Sequence, residues 1–185
     1  MKEFVKSITS PYEKELIETR RYLHRHPELS FQETDTADYI RSSLNALGVP
    51  LMEGISGTST VAVIKGEKNG PCIAFRADID ALPVEEENDL PFKSEVPGVM
   101  HACGHDIHMT AAIGAAILLA ARRETLCGTV RFLFEPDEEG SGGAQRFVDA
   151  GYLRKVDAIF GAHVSPYLPL GSVGVRYGKF YAASD

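Results

Sequence analysis

The sequence predicts an α/β fold around a largely parallel sheet, and two patterns carry that prediction. Short apolar runs of strand length alternate along the chain with stretches of helical period, which is the signature of a layered α/β structure. Acids or a histidine follow directly on three of those runs, at Asp78 and Asp80, at Glu138 and Glu139, and at His163. In open α/β sheets the carboxyl edge of the strands is where sites are built.

Taken in order, Tyr12, Leu16 and Leu23 mark a helix over 11–26 that Pro27 stops, since proline cannot continue a helix. Ser30 with Glu33 has the form of a capping box. Ala37, Ile40, Leu44 and Leu47 mark a second amphipathic helix, ended by Gly48 and Pro50. Thr58 to Ile64 alternates in the strand manner, Glu67-Lys68-Asn69-Gly70 reads as a turn, and Cys72 to Phe75 is a short buried strand. Residues 85–99 form an acidic loop, with Glu85-Glu86-Glu87 expected in solvent. A buried helix runs from Met109 to about Arg123, with Arg122 and Arg123 at the end the helix dipole favours for cations. Thr129 to Phe134 is another buried strand. A short helix after Gly142 and Gly143 ends at Gly151, and the run from Asp157 reads as a third core strand.

Of 185 residues, 44% are hydrophobic and 24% charged, an ordinary globular balance. A formal net charge of −7 argues against a nucleic-acid partner. The apolar run from Met109 to Ala121 is shorter than the roughly 20 residues that span a bilayer, so no membrane is expected. Three scattered cysteines (Cys72, Cys103, Cys127) and no secretory leader point to a reducing, cytoplasmic setting.

The chemistry concentrates in Met100 to Met109, where His101, Cys103, His105 and His108 stand within eight residues and Asp106 lies among them. Thiolate and imidazole hold borderline and soft metals. Cys103, His105, Glu138 or Glu139, and His163 make a plausible set for zinc, manganese, cobalt or nickel. The mixed-in carboxylate resembles catalytic rather than structural sites. Neighbouring glutamates point in different directions, so one can coordinate while the other acts as a base. A bound metal lowers the pKa of its water to roughly 7, and a carboxylate in reach takes the proton. The pair His24 and His26 is set aside, because nothing acidic beside it completes a ligand set.

The same residues carry a family resemblance. Arg76-Ala-Asp-Ile-Asp-Ala-Leu-Pro83, His101-Ala-Cys-Gly-His-Asp106 with His108, Pro136-Asp-Glu-Glu139, and Gly161-Ala-His163 with Pro166 resemble the amidohydrolase branch of the aminoacylase-like metallopeptidases. Leu23-His-Arg-His-Pro-Glu-Leu29 and Phe31-Gln-Glu-Thr34 match its opening pattern, so the resemblance runs through the whole chain. It implies a three-layer sandwich of the zinc-exopeptidase kind. It makes Cys103, His105, Glu139 and His163 the metal ligands, Glu138 the general base, and Asp80 an acid supporting the site from behind. Asp78 falls where relatives outside the branch place a metal-binding histidine, and His108 and Asp106 are further supporting candidates. Two divalent ions and an N-acyl amino acid or small peptide-like substrate follow from the same resemblance. It also implies that residues 1–185 form only part of a catalytic domain. A smaller dimerisation domain would enter after the segment Tyr177 to Asp185, and the complete form would be a homo-oligomer. Asp137 departs from the usual Pro-Ala-Glu-Glu and is expected to raise the base's pKa by like-charge repulsion. Two rival readings are a cysteine hydrolase with Cys103 as nucleophile and a non-catalytic metal-binding scaffold.

Overall fold

The structure, a computed structural model, describes residues 2–52, 57–175 and 177–178, apart from the side chain of Lys2. The segment from Tyr177 to Asp185, where the resemblance places the entry to a second domain, lies almost wholly outside these residues.

The chain opens with α1 (Lys2–Thr9), a 3-10 turn (Ser10–Tyr12) and α2 (Glu13–Arg25). Helical structure thus begins earlier than Tyr12 suggests. Pro11 does not prevent this, because it stands in the first turn of the 3-10 segment, where its missing N–H has no partner to lose. After α2 comes α3 (Thr34–Ala46), with Ala37, Ile40 and Leu44 buried. The capping box is not formed. Glu28 accepts the N–H groups of Asp35 and Thr36 at 3.2 and 2.7 Å instead, while Ser30 and Glu33 turn inward to other partners.

Among the described residues four strands form one sheet: β1 (Thr60–Lys65), β2 (Lys68–Asp78), β3 (Cys127–Glu135) and β4 (Ala158–Gly161), in the order β1-β3-β2-β4. β3 is parallel to β2, which is parallel to β4, and only β1 runs antiparallel. The expected turn at Glu67-Gly70 is largely strand, because β1 and β2 are not neighbours and β3 lies between them. Gly128 makes that insertion possible. It sits at φ +89°, and a Cβ there would lie 2.1 Å from the Pro71 carbonyl oxygen.

Helix α4 (His105–Ala120) starts four residues earlier than expected and ends before Arg122, with a 3-10 turn at Arg123–Thr125 following. It is apolar almost all round because it lies between α2 and the sheet. The main core joins Leu23, Ile40, Leu44, Ile64, Ile79, Met109, Ile113, Phe132 and Phe134. Each such side chain contributes roughly 1.5–3 kcal/mol on burial. The alternate residues Val61, Ala74 and Leu133 face the other way and pack on Phe147 and Tyr152. Phe147 belongs to α5 (Ala144–Asp149). Helices, sheet and this thin opposite layer make three layers.

β4 is not the core strand its apolar run suggests. All four of its residues are exposed, with Ile159 at 53% and Phe160 at 55%. Among the described residues no helix covers it. No helix among them is long and apolar enough to cross a membrane.

Candidate metal centre

Because β2, β3 and β4 are parallel, their C-terminal ends open onto one edge. The register pairs Asp78 with Glu135, and Arg76 with both Leu133 and Gly161. Asp78 and Asp80, the Glu138-Glu139 turn and His163 are delivered there together. Helix α4 brings the remaining groups. Gly104, at φ +86°, turns the chain into the helix, and a Cβ on it would meet Val164 Cγ2 at 2.4 Å. Cys103 stands just before that turn and His105 just after it. His108, three residues on, shares the face of His105.

His105 is the centre of the arrangement. Its Nδ1–H donates to the Asp80 carbonyl oxygen at 2.8 Å. Nε2, which carries no proton in the neutral ring, is buried and without a hydrogen-bond partner. Around Nε2 lie Asp78 Oδ1 at 3.7 Å, Glu139 Oε1 at 3.7 Å and Glu138 Oε2 at 3.8 Å. His163 shares the first half of the pattern: its Nδ1–H donates to the Val164 carbonyl oxygen at 2.6 Å, while its Nε2 is hydrogen-bonded to Cys103 Sγ at 3.3 Å. Donor atoms of Cys103, His105 and His163 fall within 4.8 Å of one another, as do those of His105, Glu138 and Glu139. An imidazole whose Nδ1–H is spent on a carbonyl and whose Nε2 is bare is set up as a metal ligand. These residues therefore fit a divalent ion, with His105 common to both groups.

Asp78, His105 and His108 also come together, but His108 has no nitrogen to spare. Its Nδ1–H donates to Asp78 at 2.7 Å and its Nε2 accepts the Val164 N–H at 3.0 Å. Arg76 completes the support by donating to Asp78 at 2.7 Å and Glu135 at 2.6 Å. Asp106 is not brought to the site. One residue along a helix is a turn of about 100°, so it faces α2, where it meets Arg20 at 2.8 Å and His24 at 2.9 Å.

The charges follow from this packing. Burial alone would raise the Asp80 carboxyl, but His105, the Glu139 N–H and Ser30 bring it down to about 2. Burial also opposes the imidazolium of His105, yet Asp80 and Asp78 outweigh it and raise its pKa. Burial pushes the Cys103 thiol up to about 12, helped by its hydrogen bond to Glu139 and by Glu138 and Asp78. Glu138 is raised as well, first by burial and then by Asp78 and Glu139, against the pull of Arg76 and His105. Asp137 is not among the causes. Its carboxylate is turned into its own loop, where it accepts the Ser141 N–H and hydroxyl at 2.9 and 2.7 Å. The like charge beside the base comes from Asp78 and Glu139.

Sequence reasoning missed the buried group behind the site. His24 lies between Asp106 at 2.9 Å and Glu86 at 3.2 Å, so acids do flank it, from distant segments. Glu86 is buried, not solvated, and also accepts the Ser94 N–H at 2.6 Å. His101 is buried too, and burial holds its imidazole down to about 4.

A three-layer α/β domain presenting cysteine, histidine and carboxylate at the carboxyl edge of its sheet defines the class as an α/β domain with a candidate metal centre. The chain belongs to peptidase family M20/M25/M40, whose pattern matches residues 74–182. An N-acetylcysteine deacetylase of Bacillus subtilis is 51% identical over 175 residues, covering 92% of this chain and 45% of that protein. An N-acyl-L-amino acid amidohydrolase of Geobacillus stearothermophilus is 42% identical over 185 residues, covering 100% of this chain and 50% of that one. Among solved structures, a dinuclear metal binding peptidase of Bacillus subtilis superposes with a TM-score of 0.87 at 50% identity, over 90% of this chain and 47% of its own. The chain thus spans about half the length of the curated relatives it matches.

Proposed function

We propose that this chain carries the metal-binding part of an amidohydrolase that cleaves the amide of N-acyl amino acids or small peptide-like substrates. Cys103, His105, Glu139 and His163 would hold two divalent ions, of zinc, manganese, cobalt or nickel. The observation that carries this reading is the bare, buried Nε2 of His105, ringed by carboxylates. The relatives that share the chain's family add to it.

Bound ions would supply Lewis-acid polarisation of the amide carbonyl and a more acidic water. The residues of the chain supply the rest. Asp80 orients His105 through its carbonyl and holds the Glu139 N–H at 3.0 Å through its carboxylate. Among the described residues the Glu138 carboxylate has no close partner, with Arg76 and His105 both at 3.8 Å, so it is available to a proton. Its raised pKa brings it towards the neutral range in which a general base works best. It takes the proton from the attacking water and returns it to the leaving amine. Cys103 does not serve as nucleophile in this scheme. The carboxylates around it favour the neutral thiol, whereas nucleophilic cysteines sit in electropositive surroundings.

Further chain would cover Ile159 and Phe160 on β4 and supply the groups that grip the substrate's carboxylate. The complete protein would be a cytoplasmic homo-oligomer whose partner is a small molecule, with no nucleic acid or membrane involved. Metal content of freshly purified protein, grown with zinc and manganese available, tests the core of this reading. At least one ion per chain is expected, and fewer than about 0.3 per chain would remove it.

A further inference from the structure

The turn that carries Glu138 and Glu139 is closed on itself. The Asp137 carbonyl accepts the Gly142 and Gly143 N–H groups at 3.3 and 3.1 Å, and the Asp137 carboxylate binds Ser141. A loop closed in this way can swing as a unit unless something outside ties it. Two buried carboxylates do so. Beyond Glu138, Asp80 Oδ2 accepts the Glu139 N–H at 3.0 Å. Before it, Glu33 Oε1 accepts the Asp137 N–H at 3.0 Å, across 104 residues of chain.

Glu33 is 0% exposed, and its other oxygen takes the Thr58 hydroxyl at 2.7 Å. It stands at the start of α3, yet its side chain caps nothing there. The residue it holds, Asp137, is at φ 55°, in the left-handed region that aspartate tolerates better than most side chains. Among the described residues the Glu138 carboxylate makes no short contact, so its direction is set by its backbone, which the Asp80 and Glu33 carboxylates hold.

We propose that Glu33 is a positioning residue for the carboxylates of the metal centre. It fixes the Asp137 N–H and, with Asp80, locks the turn so that Glu138 and Glu139 point at His105. This rests on the reading of Glu139 as a ligand and Glu138 as the base.

Amide hydrogen exchange by NMR reads the tie, and Co2+ titration with its visible spectrum reads the consequence. Glu33→Ala should speed exchange at the Asp137 amide by about tenfold or more, while the Glu139 amide, still tied to Asp80, changes by less than about twofold. The same variant should bind Co2+ about tenfold more weakly, with altered visible bands, as when a group orienting a ligand is lost. Glu33→Gln keeps an oxygen for the Asp137 N–H and offers its NH2 to the Thr58 hydroxyl, so it should retain most of both properties. Leu44→Ala, a core truncation that loses stability without touching the turn, should leave both unchanged. Fast exchange of the Asp137 amide in the wild-type chain would overturn the proposal. So would Glu33→Ala with wild-type Co2+ affinity and spectrum, or an equal loss in Leu44→Ala. A wild-type chain that takes up no Co2+ sinks the metal reading itself, and this role for Glu33 with it.

Discussion

Replacing His24 by leucine is the most direct test of the buried group behind the metal centre. The imidazole bridges Asp106 and Glu86 at 2.9 and 3.2 Å, with all three side chains almost fully buried. Breaking a buried ion pair from one side costs about 3–5 kcal/mol, because the partner charge is left without compensation. Here the abandoned acids keep other donors. Asp106 retains Arg20 at 2.8 Å, and Glu86 retains the Ser94 N–H and Asn88. The expected loss for His24→Leu is therefore near the lower end, about 3 kcal/mol. Its pH dependence follows from the directions of the shifts. The hydrogen bond that His24 donates to Asp106 is the largest influence on it and raises its pKa above the ordinary 6.5, with Glu86 adding to it against burial and Arg20. The stability from the imidazolium is thus complete below 6.5 and lost as pH rises through the folded value. Asp106 and Glu86 are lowered from 3.8 and 4.5, so their contributions hold above those values and fade as pH falls through the depressed ones. Urea unfolding followed by far-ultraviolet circular dichroism suits a chain without tryptophan. The gap between wild type and variant should be widest near about pH 6 and shrink as pH rises through the folded value, towards the roughly 1 kcal/mol of a neutral hydrogen bond. A variant as stable as the wild type near pH 6, or a gap that widens with pH, would refute this account.

Other expectations concern the metal and its supports. Glu138→Gln should bind metal as the wild type does, whereas Glu139→Gln should lose affinity, both read by competition with a chromophoric chelator. Equal losses in the two would reverse or erase the division of roles. Asp80→Asn, which weakens the hold on the Glu139 N–H, should lower metal affinity about 10–100-fold by the same assay. Gly104→Ala forces a side chain into a left-handed position and against Val164. It should cost about 2 kcal/mol or more in urea unfolding, and a loss below about 0.5 kcal/mol would show that the turn adapts.

What the sequence made legible was local or periodic. Cys103 and His105 are close along the chain, and each strand announced its own end, so the shared edge followed once the strands were taken as parallel. The buried group around His24 joins segments 82 and 62 residues apart, and no spacing rule connects them. Glu86 looked solvated because its neighbours are acidic, yet burial belongs to a side chain and not to a composition. Glu33 fitted a capping motif, but the competing partners, Thr58 and the Asp137 N–H, are distant in sequence and won. Asp106 seemed part of the metal cluster by adjacency, and the helical turn that begins at His105 carried it round to face α2. β4 read as core because an apolar run shows what a strand prefers to bury against, not whether anything covers it.

The placement of β3 between β1 and β2 bears on the order in which the molecule can assemble. Thr60 pairs with Phe134, and Phe75 with Phe132, so neither earlier strand has its sheet neighbour until the chain has been made past residue 135. A ribosome therefore releases β1 and β2 as unpaired edges, which are prone to wrong pairings. The segment that closes them is the same one that ends in Glu138 and Glu139. Insertion of β3 and arrival of the carboxylates are one event, with β4 and His163 following, and an ion binding there would reward only chains that have already placed β3 between β1 and β2.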